Sequence, residues 1–385
     1  MLGQRGNRLT AMLSSAGFEP GKKLTPANGI NDALGNRIAQ AVRRDQPFHV
    51  YLVLPVHPEG KLNDITIAGQ VHWTMQSLVF ADQSLVNRVR RAIAARQLCK
   101  NTLSDVAWNQ AMTEAGKRVG DVAPYQQVNE AQWCKYLTLL NLRNCQRVGG
   151  IVRTEQIYIH SKLLIVDDRH VILGSANIND RSQSGKRDSE LAVMLLDSAE
   201  EKKTIRDRVT TVNTLARKLR VDLWNKHFAI TGGGNDLVKP AAAMAAFIER
   251  PAADETIAAI QKMAFDNANI YKKTFPHIPW TDTSEDEVQT GASLWPVCPP
   301  NISAKDAGIR SATMPFHEDF WKDNAAHVKA PEKLKGYFTK LPTNWTIGEN
   351  NHPGQMSVMA LTMLEETNGL TPQTGEPNAA AQEIA

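Results

Sequence analysis

At 385 residues, with 42% hydrophobic and 22% charged residues, the chain has the length and composition to bury a core in one large domain or two, which excludes a wholly disordered polypeptide. Its 44 Lys and Arg against 40 Asp and Glu leave a net charge of +4, which permits contact with anionic surfaces but argues against a dedicated nucleic-acid binder. The four cysteines, Cys99, Cys134, Cys145 and Cys298, have neither the density of a disulfide scaffold nor the paired spacing of a zinc site, and are read as buried or incidental thiols.

Residues 1–24 form an N-terminal extension without the continuous apolar stretch of a signal peptide. No apolar run approaches the roughly 18 residues of a transmembrane helix, so membrane contact is expected to be peripheral, with a cytoplasmic location or export without a cleaved signal. A first helix is expected over Asn31 to Arg44. Phe48 to Pro55, FHVYLVLP, reads as a strand buried on both faces. A loop follows at His57-Pro58-Glu59-Gly60, then helices over Ile65 to Phe80 and Asp82 to Gln97. Asn101 to Val128 is weakly periodic and is read as a plain surface excursion, with an insertion or lid-like segment as the alternative. Further strands are expected over Lys135 to Leu142, Glu155 to Val166, His170 to Leu173 and Glu190 to Leu196. Helices then cover Ala199 to Thr210 and Val212 to Phe228, the latter with Leu215, Leu219, Leu223 and Trp224 as its apolar stripe.

Gly232-Gly233-Gly234 marks a linker between a catalytic unit over 25–230 and a C-terminal region over 235–365. That region carries helices at Ala241 to Glu249 and Asp254 to Tyr271, then Pro-rich loops with Trp280, Trp295, Trp321 and Trp345. Residues 366–385 are polar and Ala-rich, as in a flexible tail.

The chemistry concentrates in IYIHSKLLIVDDRHVILGSANIND, residues 157–180. His160 and Lys162 are two apart on the expected strand, so their side chains leave one face and can reach one ligand. Asp167 and Asp168 make the turn. The returning strand ends at Gly174-Ser175-Ala176-Asn177, where a small residue and short polar side chains allow close approach to a substrate. Lysine and asparagine donate hydrogen bonds to non-bridging phosphate oxygens, and histidine serves as nucleophile or as acid and base at neutral pH without a metal. Glu190, or alternatively Asp188, is placed to hold the other imidazole nitrogen. A His and a Lys on one strand face are usually solvated polar residues. All six positions, His160, Lys162, Asp167, Gly174, Ser175 and Asn177, match by chance at on the order of 1 in 10⁵ for such a chain. Lys162 is a poor metal ligand, and neither a metal nor a cofactor is expected. His57, Glu59, His72 and Trp73 are secondary pocket candidates, each also explained as an ordinary loop or core residue. Arg181 and Lys186 are possible sources of added positive charge.

His160-x-Lys162, Asp167 and Gly174-Ser175-x-Asn177 resemble the HKD signature of the phospholipase D superfamily. The flanks Ile178-Asn179-Asp180-Arg181-Ser182 and Gly185-Lys186-Arg187-Asp188-Ser189-Glu190, together with Leu54-Pro55, His57-Pro58-Glu59-Gly60 and Leu223-Trp224, are similar to the C-terminal half of its larger, eukaryotic-like branch. The resemblance implies an α/β sandwich with a mixed β-sheet flanked by helices on both faces. It also implies cleavage of glycerophospholipid headgroups to phosphatidic acid through a phosphohistidine, at a phospholipid membrane surface. His160, in the second-half motif, is then the general acid and base, with Lys162, Gly174, Ser175 and Asn177 on the phosphate. Members of that branch carry two such motifs and this sequence shows one. The resemblance therefore implies a second HKD half, on another or a missing segment or on a homodimer mate. A superfamily nuclease and a catalytically incomplete subunit are the alternatives. Related bacterial proteins include type VI secretion lipase effectors.

Overall fold

The computed structural model describes residues 2–3, 28–55, 74–120, 122–178, 180–183, 189–205, 209–275, 329–331 and 333–343. Their centre is one eight-stranded mixed sheet. Strands β1 (Leu2–Gly3), β2 (Val50–Val53) and β3 (Leu137–Val148) run parallel, while β5 (Lys162–Val166), β6 (His170–Gly174) and β7 (Ala192–Leu195) continue antiparallel from β1. β12 (Phe338–Lys340) closes the other edge on β3, β4 (Ile151–Gln156) pairs with the distal half of β3 as a hairpin, and β10 (Val238–Lys239) pairs in parallel with β11 (Leu334–Lys335) apart from this sheet.

Helices cover both faces. α1 (Ile30–Arg43), α2 (Leu85–Leu98) and α3 (Asp105–Gly116) bury Ile38, Val86 and Trp108 against Leu52, Leu54, Leu137 and Leu139. The short helix α4 (Glu130–Trp133) leads into β3. On the opposite face α6 (Thr214–His227) and α7 (Asp254–Thr274) bury Trp224, Ile260 and Met263 against Tyr51, Val53, Leu140 and Leu142. β2 and β3 are thus buried on both sides, which is why their sequences are apolar runs rather than alternations. Beyond the triple glycine the chain returns to this same sheet through α7 and β12, and the Gly234 N–H donates to the Tyr337 hydroxyl at 2.9 Å.

Four expectations are corrected. The segment Asn101 to Val128 belongs to the core: Ser104 caps α3 by accepting from the Ala107 N–H, and Trp108, Ala111 and Ala115 form its buried face. Ala199 to Thr210 is no helix. It contains β8 (Glu200–Thr204) and the start of β9 (Val209–Asn213), a hairpin favoured by the β-branched residues Val209, Thr210, Thr211 and Val212. Asp197 ties its base to α6, accepting from the Leu215 and Ala199 N–H groups, and these bonds hold its carboxyl below the usual value. Of the apolar stripe expected on α6, Leu219, Leu223 and Trp224 pack inward, joined by Ala216 and Arg220, whereas Leu215 is 46% exposed.

Finally, Glu155 to Val166 is two strands. Ile157 donates to the Leu142 carbonyl at 2.8 Å, and the chain then leaves β3 to pair with β1 and β6, so the ladder breaks over 157–161. Among the thiols, burial pushes Cys134 and Cys145 up to about 12, which leaves both unreactive.

Candidate active site

The break after β4 places His160 on an exposed segment two residues ahead of β5, rather than on a strand beside Lys162. The two still meet, because the Lys162 ammonium folds back to donate to the His160 carbonyl at 2.6 Å. Lys162 opposes Gly174 on β6, and Gly174 opposes Ala192 on β7, so one row crosses three strands at their common end. Ser175 and Asn177 leave β6 at that end, and Glu190 and Leu191 enter β7 there.

Gly174 is required by the fold itself. A Cβ added to it would strike the Leu191 carbonyl oxygen and come within 2.8 Å of the Ala192 Cα. This close approach of β6 and β7 builds the next layer. The Ser175 N–H donates to the Leu191 carbonyl at 2.9 Å, its hydroxyl oxygen accepts from the Leu191 N–H at 3.0 Å, and its hydroxyl donates to the Glu190 carboxylate. Ser175 is therefore held by both its backbone and its side chain. Asn177 is fixed through its carbonyl, which accepts from the Gln183 amide at 2.8 Å in the short helix α5 (Asp180–Gln183). Its side-chain Oδ1 is buried and unbonded among the described residues. A buried polar atom without a partner is costly, and such an atom in a folded protein calls for an explanation.

His160, Lys162, Gly174, Ser175, Asn177 and Glu190 thus share one end of β5, β6 and β7. Asp167 does not join them. It lies beyond the opposite end of β5, roughly 16 Å away at about 3.3 Å per residue, and it is exposed. Asp167 and Asp168 both take positive φ, 53° and 51°, in a tight turn closed by the Arg169 N–H on the Val166 carbonyl. Asp168, read from sequence only as part of this turn, points inward to the Arg220 guanidinium with contacts of 2.7 and 2.8 Å, and Arg220 also donates to the Ile248 carbonyl at 2.6 Å. Both partners are buried. The signal in the sequence was an arginine four residues from Ala216 and from Trp224, on the inward face of its helix.

His57, Glu59, His72, Trp73, Lys186 and Asp188 lie outside the described residues. Among the described residues, no group of three or more His, Cys, Asp or Glu is arranged to hold a metal ion.

The family model described as Phospholipase D matches residues 11–278, a span that contains this entire site. Phospholipase D B of Dictyostelium discoideum is 31% identical over 256 residues, 66% of this chain and 17% of that protein. Phospholipase D2 of Bos taurus is 32% identical over 262 residues, covering 66% and 23%. Phospholipase D1 of Homo sapiens is 31% identical over 285 residues, covering 74% and 22%. The chain thus spans less than a quarter of the length of these three relatives. With every motif residue but Asp167 gathered at one sheet end and more than half the sequence inside the family match, the chain belongs to the phospholipase D family.

Proposed function

We propose that this chain supplies one half-site of a phosphodiesterase that removes the headgroup of glycerophospholipids to leave phosphatidic acid. The observation that carries the reading is the set of polar groups at one sheet end, the Lys162 ammonium, the Asn177 amide with its unbonded Oδ1 and the held Ser175, beside a single motif histidine.

In this reading a histidine of a second HKD half attacks phosphorus. A P–N bond forms while the P–O bond to the headgroup breaks, and His160 gives its proton to the departing oxygen. His160 then takes a proton from water or another alcohol, whose oxygen attacks phosphorus and releases the first histidine. Lys162 exchanges the His160 carbonyl for a non-bridging oxygen, stabilising charge as it develops. A 180° rotation of the Asn177 amide presents its NH₂ to the same group. Ser175 gives its hydroxyl hydrogen to phosphate only by releasing Glu190, which frees that carboxylate to hold the imidazole. Asp188 is the alternative orienter.

The test is release of soluble headgroup from mixed phospholipid vesicles, across a range of protein concentrations and beside His160→Ala. Release by the unsubstituted chain and its loss in the variant are expected. Equal release by both proteins overturns the assignment. Inactivity at every concentration means that the second half lies on a different polypeptide.

A further inference from the structure

The ladder between β6 and β7 ends at Gly174, and the two motif residues beyond it are held in different ways. Ser175 is fastened to the start of β7 through its N–H and its hydroxyl, so the strands themselves set its position. Asn177 lies two residues farther on, where the chain has left the sheet. Its side-chain Oδ1 is buried and unbonded among the described residues, so that atom does nothing to orient the amide. What fixes the residue is its carbonyl, which accepts from the Gln183 side-chain N–H at 2.8 Å. Gln183 is the last residue of α5 and reaches back six positions to make this bond. Ser182 beside it is buried, which seats α5 on the body and gives the Gln183 side chain a fixed origin.

We propose that Gln183 is a positioning residue: its amide holds the Asn177 backbone so that the Asn177 side chain meets a phosphate oxygen. The proposal rests on the reading that Asn177 binds phosphate, and it adds a residue from outside the motif. Gln183 is exposed, and an exposed glutamine surrenders rotamer freedom when it holds one geometry. A neutral hydrogen bond made in contact with water returns little stability for that loss. The bond therefore matters little to folding, but it decides the orientation of the Asn177 peptide. Side-chain rotamers follow the backbone angles, so the direction in which the Asn177 amide leaves the chain is set with it. A neutral amide suits the place. Glutamate has the same shape, but when ionised it donates nothing to the carbonyl and sets a negative charge against it. Misplacing a group by about 1 Å costs on the order of a hundredfold in rate, and loss of this single tether is expected to cost about tenfold.

The experiment follows the Asn177 side-chain amide by NMR in the full chain labelled at asparagine, its signal identified by its loss in Asn177→Ala. Inorganic phosphate is the probe. Gln183→Ala and Gln183→Glu should both shift this signal and weaken phosphate binding about tenfold, with the unfolding midpoint unchanged, as for other surface substitutions. Adding Gln183→Ala to Asn177→Ala should weaken phosphate no further, because a residue that acts only through Asn177 then has nothing left to position. An Asn177 signal and a phosphate affinity untouched by both Gln183 variants overturn the proposal. So does a loss in the double variant as large again as in the single one, which would give Gln183 a route of its own. Wild-type behaviour of Gln183→Glu also overturns it, since shape without a donor would then suffice. A signal shifted by Gln183→Ala in a chain that binds no phosphate leaves the tether standing and counts against the phosphate reading of the site instead.

Discussion

Asp167 and Asp168 are neighbours of the same chemistry in the same turn, and the fold gives them opposite settings. Both accept positive φ, which aspartate tolerates better than most side chains. The turn then directs Asp167 to solvent and Asp168 into the body, where it meets Arg220 in a buried two-pronged pair. Removing one member of such a pair strands a charge without its partner. Asp168→Ala should therefore lose about 3–5 kcal/mol in denaturant unfolding, whereas Asp167→Ala should change stability by less than about 0.5 kcal/mol, as surface substitutions do. A large loss from Asp167→Ala would show that the motif aspartate has a role this geometry does not give it. The motif pattern singles out Asp167, but two adjacent carboxylates in a turn look alike until a distant arginine selects one.

Among the elements, the β6–β7 contact is the most demanding. Gly174 permits the approach that lets Leu191 hold Ser175 with two hydrogen bonds. Gly174→Ala forces these backbones apart, with an expected loss of about 1–3 kcal/mol from overpacking and a displaced Ser175. Unfolding measured beside headgroup release separates the two effects: a protein as stable and as active as the original would mean that the strands can separate freely. The glycine was expected at this site as a means of substrate approach, and the structure shows that strand-to-strand approach already demands it. The β8–β9 hairpin escaped the sequence reading because Glu and Lys in β8 suit a helix equally well. Its pairing is decided by β9, which follows it in the chain. Likewise the break between β4 and β5 has no local marker, since Ile157 and Ile159 continue the apolar pattern while the backbone changes its pairing strand.

At the scale of the whole molecule, α6 joins the strands β5 to β7 to the C-terminal elements, and His227 at its end is the group expected to make this junction sensitive to acid. Burial, aided by the neighbouring Lys226 charge, lowers His227 from its ordinary 6.5 to about 4, and its Nδ1 is buried without a partner among the described residues. Its ring meets Phe338 of β12 edge-on at 5.0 Å. Between pH 6.5 and 4 the unfolded chain binds this proton and the folded chain does not. Stability from this group is therefore complete above about 6.5 and falls by about 3 kcal/mol as pH drops to 4. His227→Gln should flatten that part of a stability profile, and an unchanged slope would assign the acid sensitivity elsewhere. The sequence by itself determined the family motif, the apolar central strands and the order of most helices, because these depend on residue type and on spacing along the chain. Which aspartate is buried, that Arg220 joins the inward side of α6 and where β4 yields to β5 were decided only by tertiary structure. Each depends on partners such as Arg220, Leu142 and Leu191 that the fold brings together from elsewhere in the chain, and local periodicity does not encode those contacts.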